Sequence, residues 1–310
     1  MNNLAFTLAE LGEFREARAM NEEALTLKIR VLGPEHPGTL ATMHNLTRTL
    51  AALGDDAEAR LLLEKLLPLV RQVCGPDDAL TLGSMSGLAE SLLGANEAEK
   101  ARPLLQQVLD SQIRLHGPNH PLVLAAMLGV ARAHFALNDL EAAKVLQTQA
   151  VAEHHLQHGE DDSRTSLASE ELALTLAAMG DDSAARSVRE QVLARCHAVL
   201  GIDHPATLAA MISLGATLTD SGSLIEARVL LEDALERCRR VFGPKHRETV
   251  VAACNLLSTL VKLKSEREAS ALATENLAWL LKEPRESLPR DLARAQEVAL
   301  NCLRRMQSRH

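Results

Sequence analysis

Apolar side chains recur three and four residues apart through Leu40, Met43, Leu46 and Leu50, and a second series runs through Ala59, Leu62, Leu66 and Leu69. Such spacing puts each set on one face of an α-helix. The pattern predicts a first helix, A, from about residue 40 to 53, a break at Gly54-Asp55-Asp56, and a second helix, B, ending near Val73 before Gly75-Pro76. The A pattern returns as Leu82, Met85, Leu88 and Leu92, and again as Leu208, Met211, Leu214 and Leu218. Stepping by 42 from Gly33 reaches Gly75, Gly117, Gly159, Gly201 and Gly243. A second ladder, Gly12, Gly54, Asn96, Asn138, Gly180, Gly222 and Lys264, is followed five residues later by alanine in every copy, from Ala17 to Ala269.

A fixed period of this size marks a repeat architecture, in which each helix pair buries its apolar stripe only by stacking on its neighbours. Residues 1–282 are therefore expected to form seven repeats, the first truncated, in one all-α, right-handed superhelical solenoid. Thr39, Thr81, Thr165, Thr207 and Thr249 stand where a hydroxyl would cap each helix A, with Val123 the exception, and Asp55-Asp56 would cap helix B. Residues 283–310 lose the glycine turn and carry Leu292, Ala295, Val298, Ala299, Cys302, Leu303 and Met306 on one side of a helix from about Asp291 to Arg309, a capping helix by expectation. Met1 falls in register with Met43, Met85 and Met127, so the chain opens partway into a helix A, and a longer chain upstream is expected.

Composition narrows the partners. Hydrophobic residues make up 46% and aromatic ones 2%, which favours helices packed through small aliphatic side chains. The net charge of −8 offers no basic footprint, so neither nucleic acid nor an anionic membrane surface is expected as a ligand. No stretch approaches the roughly 18 apolar residues that span a bilayer. Cys74, Cys196, Cys238, Cys254 and Cys302 show no CxxC spacing, which fits reduced thiols and a cytoplasmic setting.

The helix A, glycine, helix B, alanine order resembles the tetratricopeptide pattern. Met1-Asn2-Asn3-Leu4-Ala5, His44-Asn45-Leu46 and the link Val31-Leu32-Gly33-Pro34-Glu35-His36-Pro37 resemble the 42-residue, kinesin-light-chain-like type. The resemblance implies a concave groove lined by helix A, with an asparagine touching the backbone of an extended peptide. That residue carries over to Asn3, Asn45 and Asn255; Gly87, Gly129, Glu171 and Ser213 occupy the other places. Three residues further, on the same helical face, stand Phe6, Arg48, Glu90, Arg132, Leu174, Ala216 and Ser258. Asn3, Asn45, Arg48 and Arg132 would hold peptide carbonyls or carboxylates, beside Glu90, and Leu174 and Ile212 with Ala216 would seat an apolar anchor. The alternative is a salt-bridged, solvated face with apolar packing between repeats.

The histidines at one phase of the repeat, His36, His120, His204 and His246, alternate with Asp78 and Asp162 and belong to the turn. His154 and His158, four apart, are two potential metal ligands without a third acid or thiol in place, although Glu160, Asp161 and Asp162 follow. There is no phosphate-binding GxxxxGK[ST], GxSxG or HExxH segment. The expectation is a protein or peptide interaction scaffold that is not an enzyme and needs no cofactor or metal. The alternative reading is a ligand-sensing array controlling an attached or associated effector, an ATPase or protease.

Overall fold

The computed structural model describes residues 4, 5, 7, 8, 13–159, 162–285, 288 and 290–307, and every regular element among them is helical. In chain order these are α1 Phe14–Leu32, α2 Pro37–Leu53, α3 Asp56–Val73, α4 Ala79–Gly94, α5 Ala98–His116, α6 Pro121–Ala136, α7 Leu140–His158 and α8 Ser163–Ala178. There follow α9 Asp182–Leu200, α10 Pro205–Asp220, α11 Leu224–Phe242, α12 Arg247–Lys262, α13 Glu266–Leu272, a π-helical turn Ala273–Leu277, α14 Ala278–Lys282 and α15 Arg290–Gln307. The chain divides into two compact units, Met1–Glu153 and His154–His310.

The turns explain the period. Gly33, Gly75, Gly117, Gly159, Gly201 and Gly243 all have φ between 83° and 94°, a region that side chains disfavour. The second ladder is left-handed throughout its described members, with Asn96, Asn138 and Lys264 each at φ 61°. Its alanines are buried because helices A and B meet there: Ala17, Ala101, Ala143, Ala185, Ala227 and Ala269 are all 0% exposed.

The cap of helix A differs from the sequence expectation. Helix A begins at residue 37, not 40, so Thr39 lies inside its first turn and His36 is the N-cap. His36 Nδ1 accepts from Gly38 N–H at 3.0 Å, and His120, His204 and His246 do the same two residues ahead at 3.2 Å each. Asp78 and Asp162 place Oδ1 in the identical role, at 2.9 and 2.8 Å. His and Asp interchange because each carries an acceptor directly on Cγ. The accepting Nδ1 puts the ring proton on Nε2. Thr39 instead donates its hydroxyl to the carbonyl of Gly33 at 2.8 Å, and Thr81, Thr165, Thr207 and Thr249 latch their own glycines likewise. Asp55 does not cap helix B; its carboxylate pairs with Arg18 at 2.8 Å.

In the first unit the core joins Leu40, Leu66, Val70, Leu82, Met85, Leu124, Met127 and Val130. The inward face of α3 is Ala59, Leu63, Leu66 and Val70, with Leu62 and Leu69 only partly buried, one position round from the expected set. In the second unit Leu208, Met211, Leu231, Leu257, Leu277 and Leu280 form a second core. There α15 lies against α12 and buries Ala295, Ala299 and Cys302, while Val298 faces out. Gln296 Nε2 donates to the carbonyls of Leu280 and Glu283, closing the end of α14.

Candidate functional site

In the first unit, the helix A positions at 42-residue spacing open outward: Arg48 on α2, Glu90 on α4 and Arg132 on α6 are all exposed. Arg132 Nη2 meets Glu90 Oε1 at 3.1 Å, one repeat apart. The two side chains remain 43% and 62% exposed, so the pair contributes little to stability and leaves the face polar and open to solvent. Asn45 is half-buried, because its phase turns towards the preceding helix B: a Cβ on Gly129 would stand 3.1 Å from Leu105 Cδ2. Beside Arg48, burial and then the Arg48 charge hold the His44 imidazole below its ordinary pKa. His44 Nδ1 lies 3.3 Å from Ser84 Oγ, tying α2 to α4.

In the second unit Leu174 is 53% exposed on α8, in keeping with an anchor position, and Asn255 on α12 is half-buried. Ile212 is different. At 4% exposure it sits in the core with Leu208, Met211 and Leu231, and it presents no surface to a ligand. The reason is register: Ile212 stands one residue before the asparagine phase, a turn of about 100° towards the interior. Asn3 and Phe6 lie outside the described residues.

Among the described residues no three His, Cys, Asp or Glu side chains gather as a metal site. His154 is 4% exposed, Asp162 is spent on the α8 cap, and the His158 side chain, Glu160 and Asp161 lie outside the description. Burial raises every thiol: Cys238 is pushed up to about 11 and Cys254 to about 12. No helix among the described residues is long and apolar enough to cross a membrane.

Sequence reasoning missed two features. The first is an arginine ladder at the start of helix B. Arg18 binds Glu22 in its own helix and Asp55 and Glu58 in the next pair; Arg60 binds Glu64 and Glu97; Arg186 binds Glu190 and Glu226; Arg228 binds Glu232 and Glu268. Hydrogen bonds from Arg60 and Lys100 pull the Glu97 carboxyl down to about 2. The signal was available as Arg18, Arg60, Arg186 and Arg228 at multiples of 42, each with glutamate four residues on. The second is a cavity of about 260 Å³ in the second unit, between α8, α9 and α10.

The family model for tetratricopeptide repeats matches residues 1–72 and 79–152, and a second model of the same description matches 169–206 and 207–248. Among solved structures, a protein of Podosopora anserina described as a kinesin light chain with nearly identical TPR-like repeats is 28% identical, with a TM-score of 0.59 over 66% of this chain and 97% of that one. NprR in complex with its cognate peptide NprX shares the fold at 14% identity, TM-score 0.62, covering 96% of this chain and 81% of that one. A signal transduction ATPase with a tetratricopeptide repeat sensor from Pyrococcus horikoshii does so at 13% identity, TM-score 0.60, over 94% of this chain and 43% of that one. No curated protein matches. With the 42-residue period, the glycine and alanine ladders and the paired helices, these matches establish that the chain belongs to the tetratricopeptide repeat family, in its kinesin-light-chain-like form.

Proposed function

We propose that the outward face of helices α2, α4 and α6 binds an extended segment of a partner protein, as part of an interaction scaffold. The observation that carries this reading is the exposed row Arg48, Glu90 and Arg132, set one repeat apart with Asn45 beside it. Two guanidinium groups flanking one carboxylate suit a strand of peptide with carbonyls and at least one acidic side chain, because charge-assisted hydrogen bonds to carboxylates are the stronger and more directional ones. Breaking the Glu90–Arg132 pair to admit a ligand costs little, since both groups are solvated already. NprR, of the same fold, holds a peptide; at that identity the comparison supports the class of ligand and no residue. The sensor reading is the alternative, in which the same face receives a ligand and passes the event to an effector.

The test is affinity capture from a lysate of the source organism with two baits, the natural chain and the triple variant Asn45→Ala, Arg48→Glu, Arg132→Glu. Both are first checked by circular dichroism. A partner held by the first bait and lost from the second supports the face; the same partners on both baits would show that binding occurs elsewhere.

A further inference from the structure

The turn between α5 and α6 departs from its repeats in two ways. His116, the last residue of α5, and His120, the N-cap of α6, lie ring on ring, with centroids 4.4 Å apart and planes inclined by 20°. In the corresponding place, four residues before the cap, other repeats carry Leu32, Cys74, Leu200 and Phe242, and Phe242 stacks on the His246 cap. Among the described residues this turn alone stacks one imidazole on another. The second departure is Val123. Where Thr39, Thr81, Thr165, Thr207 and Thr249 latch the carbonyl of their own glycine, α6 has a valine and no hydroxyl to do so.

The start of α6 thus leans on the ring of His120. Its Nδ1 accepts from Leu122 N–H at 3.2 Å, and its carbonyl accepts from Val123 and Leu124 N–H at 2.8 and 3.2 Å. A proton added to Nδ1 turns that acceptor into a donor aimed at a donor. It also puts positive charge at the end of α6 where the free N–H groups already carry one. A proton on His116 has the opposite standing, because the last turn of α5 presents free carbonyls that favour a cation. Once charged, however, that ring lies 4.4 Å from the cap and repels a second charge there. Neighbouring carboxylates do not offset the pair: Asp77 is held by Arg114 at 2.6 Å, Asp78 caps α4, and the first turn of α6 carries no acid.

We propose that the stacked His116 and His120 rings form a proton-operated latch on the start of α6, closed while His120 is neutral and opened in mild acid. Opening breaks the bond to Leu122 N–H, separates the rings and frees the first turn of the helix. The rest of α6 stays in place, because Leu124, Met127 and Val130 are buried in the first core. A carboxylate in the same role, as at Asp78 and Asp162, remains an acceptor over the range in which histidine titrates, so α4 and α8 serve as internal controls. Arg132 lies more than three helical turns from His120, so the latch is independent of whether the outward face binds a partner.

The experiment takes the full chain from about pH 7.5 to about pH 5.5, the range in which histidine changes charge, and follows amide hydrogen exchange corrected for its intrinsic pH dependence, with ring spectra of the histidines. Three variants are measured beside it. His120→Asp gives α6 the cap of α4, His120→Asn supplies an acceptor on Cγ that neither titrates nor carries charge, and His116→Leu gives α5 the residue of Leu32 and Leu200. In the natural chain, protection at residues 122–124 should fall about five- to tenfold on acidification, while the start of α4 changes less than about twofold. The fall should vanish in His120→Asp and His120→Asn and shrink in His116→Leu, and the two rings should titrate in coupled steps. Unchanged protection in the natural chain, or an equal fall at the starts of α4 and α6, overturns the latch. A fall that persists in a folded His120→Asp or His120→Asn does the same. His116→Leu responding to acid as strongly as the natural chain overturns the part given to the stacked pair.

Discussion

Helices α8 and α10 stand at the same place in successive repeats, and they solve the same packing problem differently. Leu208, Met211 and Ile212 on α10 are each at most 4% exposed in one core, whereas Ser166, Ser169 and Glu170 fill the same places on α8. Their turns are nearly the same: Thr165 reaches Gly159 at 3.0 Å and Thr207 reaches Gly201 at 2.7 Å, and each helix is capped by an acceptor on Cγ. Repeat geometry is thus fixed by backbone conformation and polar contacts at the turns, and core volume is a separate variable. A solenoid tolerates a local loss of volume because each repeat answers mainly to its neighbours.

The sharpest way to break this comparison is to give α10 the residue of α8. Leu208→Ser empties a site that is 0% exposed, and the expected cost is about 3–5 kcal/mol, read from guanidinium unfolding curves. A cost below about 1 kcal/mol would mean that the α10 environment collapses around the gap, contrary to a path held by the turns.

A smaller effect probes how closely the two helices approach their B partners. Ala89, Ala131 and Ala173 share a phase with Gly215. A Cβ on Gly215 would fall 2.5 Å from Leu231 Cγ, and Leu231 is 0% exposed and has nowhere to retreat. Gly215→Ala is expected to destabilise by about 1–3 kcal/mol despite the better helix propensity of alanine. A gain in melting temperature would show that α10 and α11 separate easily.

Much of this architecture could be read from spacing alone. The two glycine-rich ladders located the turns of the repeats and the alanine ladder the buried meeting of helices A and B, because a positive φ and a missing side chain restrict residue choice strongly. The caps were less legible. Threonine is a good capping residue, but the helix starts three residues earlier than its apolar stripe, so the hydroxyl falls within the first turn. For the candidate face, helical phase places Arg48, Glu90, Arg132 and Leu174 outward, whereas Ile212, one residue off that phase, is core. The cavity was written in the chain as serine in a leucine ladder, yet volume is a property of three helices together. A single stripe does not reveal it.

The gentlest test addresses the feature that α8 and α10 share. If His and Asp are equivalent at the cap because both offer an acceptor on Cγ, then His36→Asp should leave stability nearly unchanged, as Asp78 serves its own repeat at 2.9 Å. His36→Ala removes the acceptor for Gly38 N–H and should cost about 1 kcal/mol in denaturant unfolding. Alanine is the better residue inside a helix, so a loss on its introduction isolates the cap from propensity. His36→Gln discriminates further: its carboxamide lies one carbon beyond Cγ, and a loss approaching that of alanine would tie the requirement to the position of the acceptor and not to polarity. Equal stability of all three variants would show that the Thr39 latch on Gly33 and the fixed φ of Pro37 already hold the turn, leaving the histidine ring redundant.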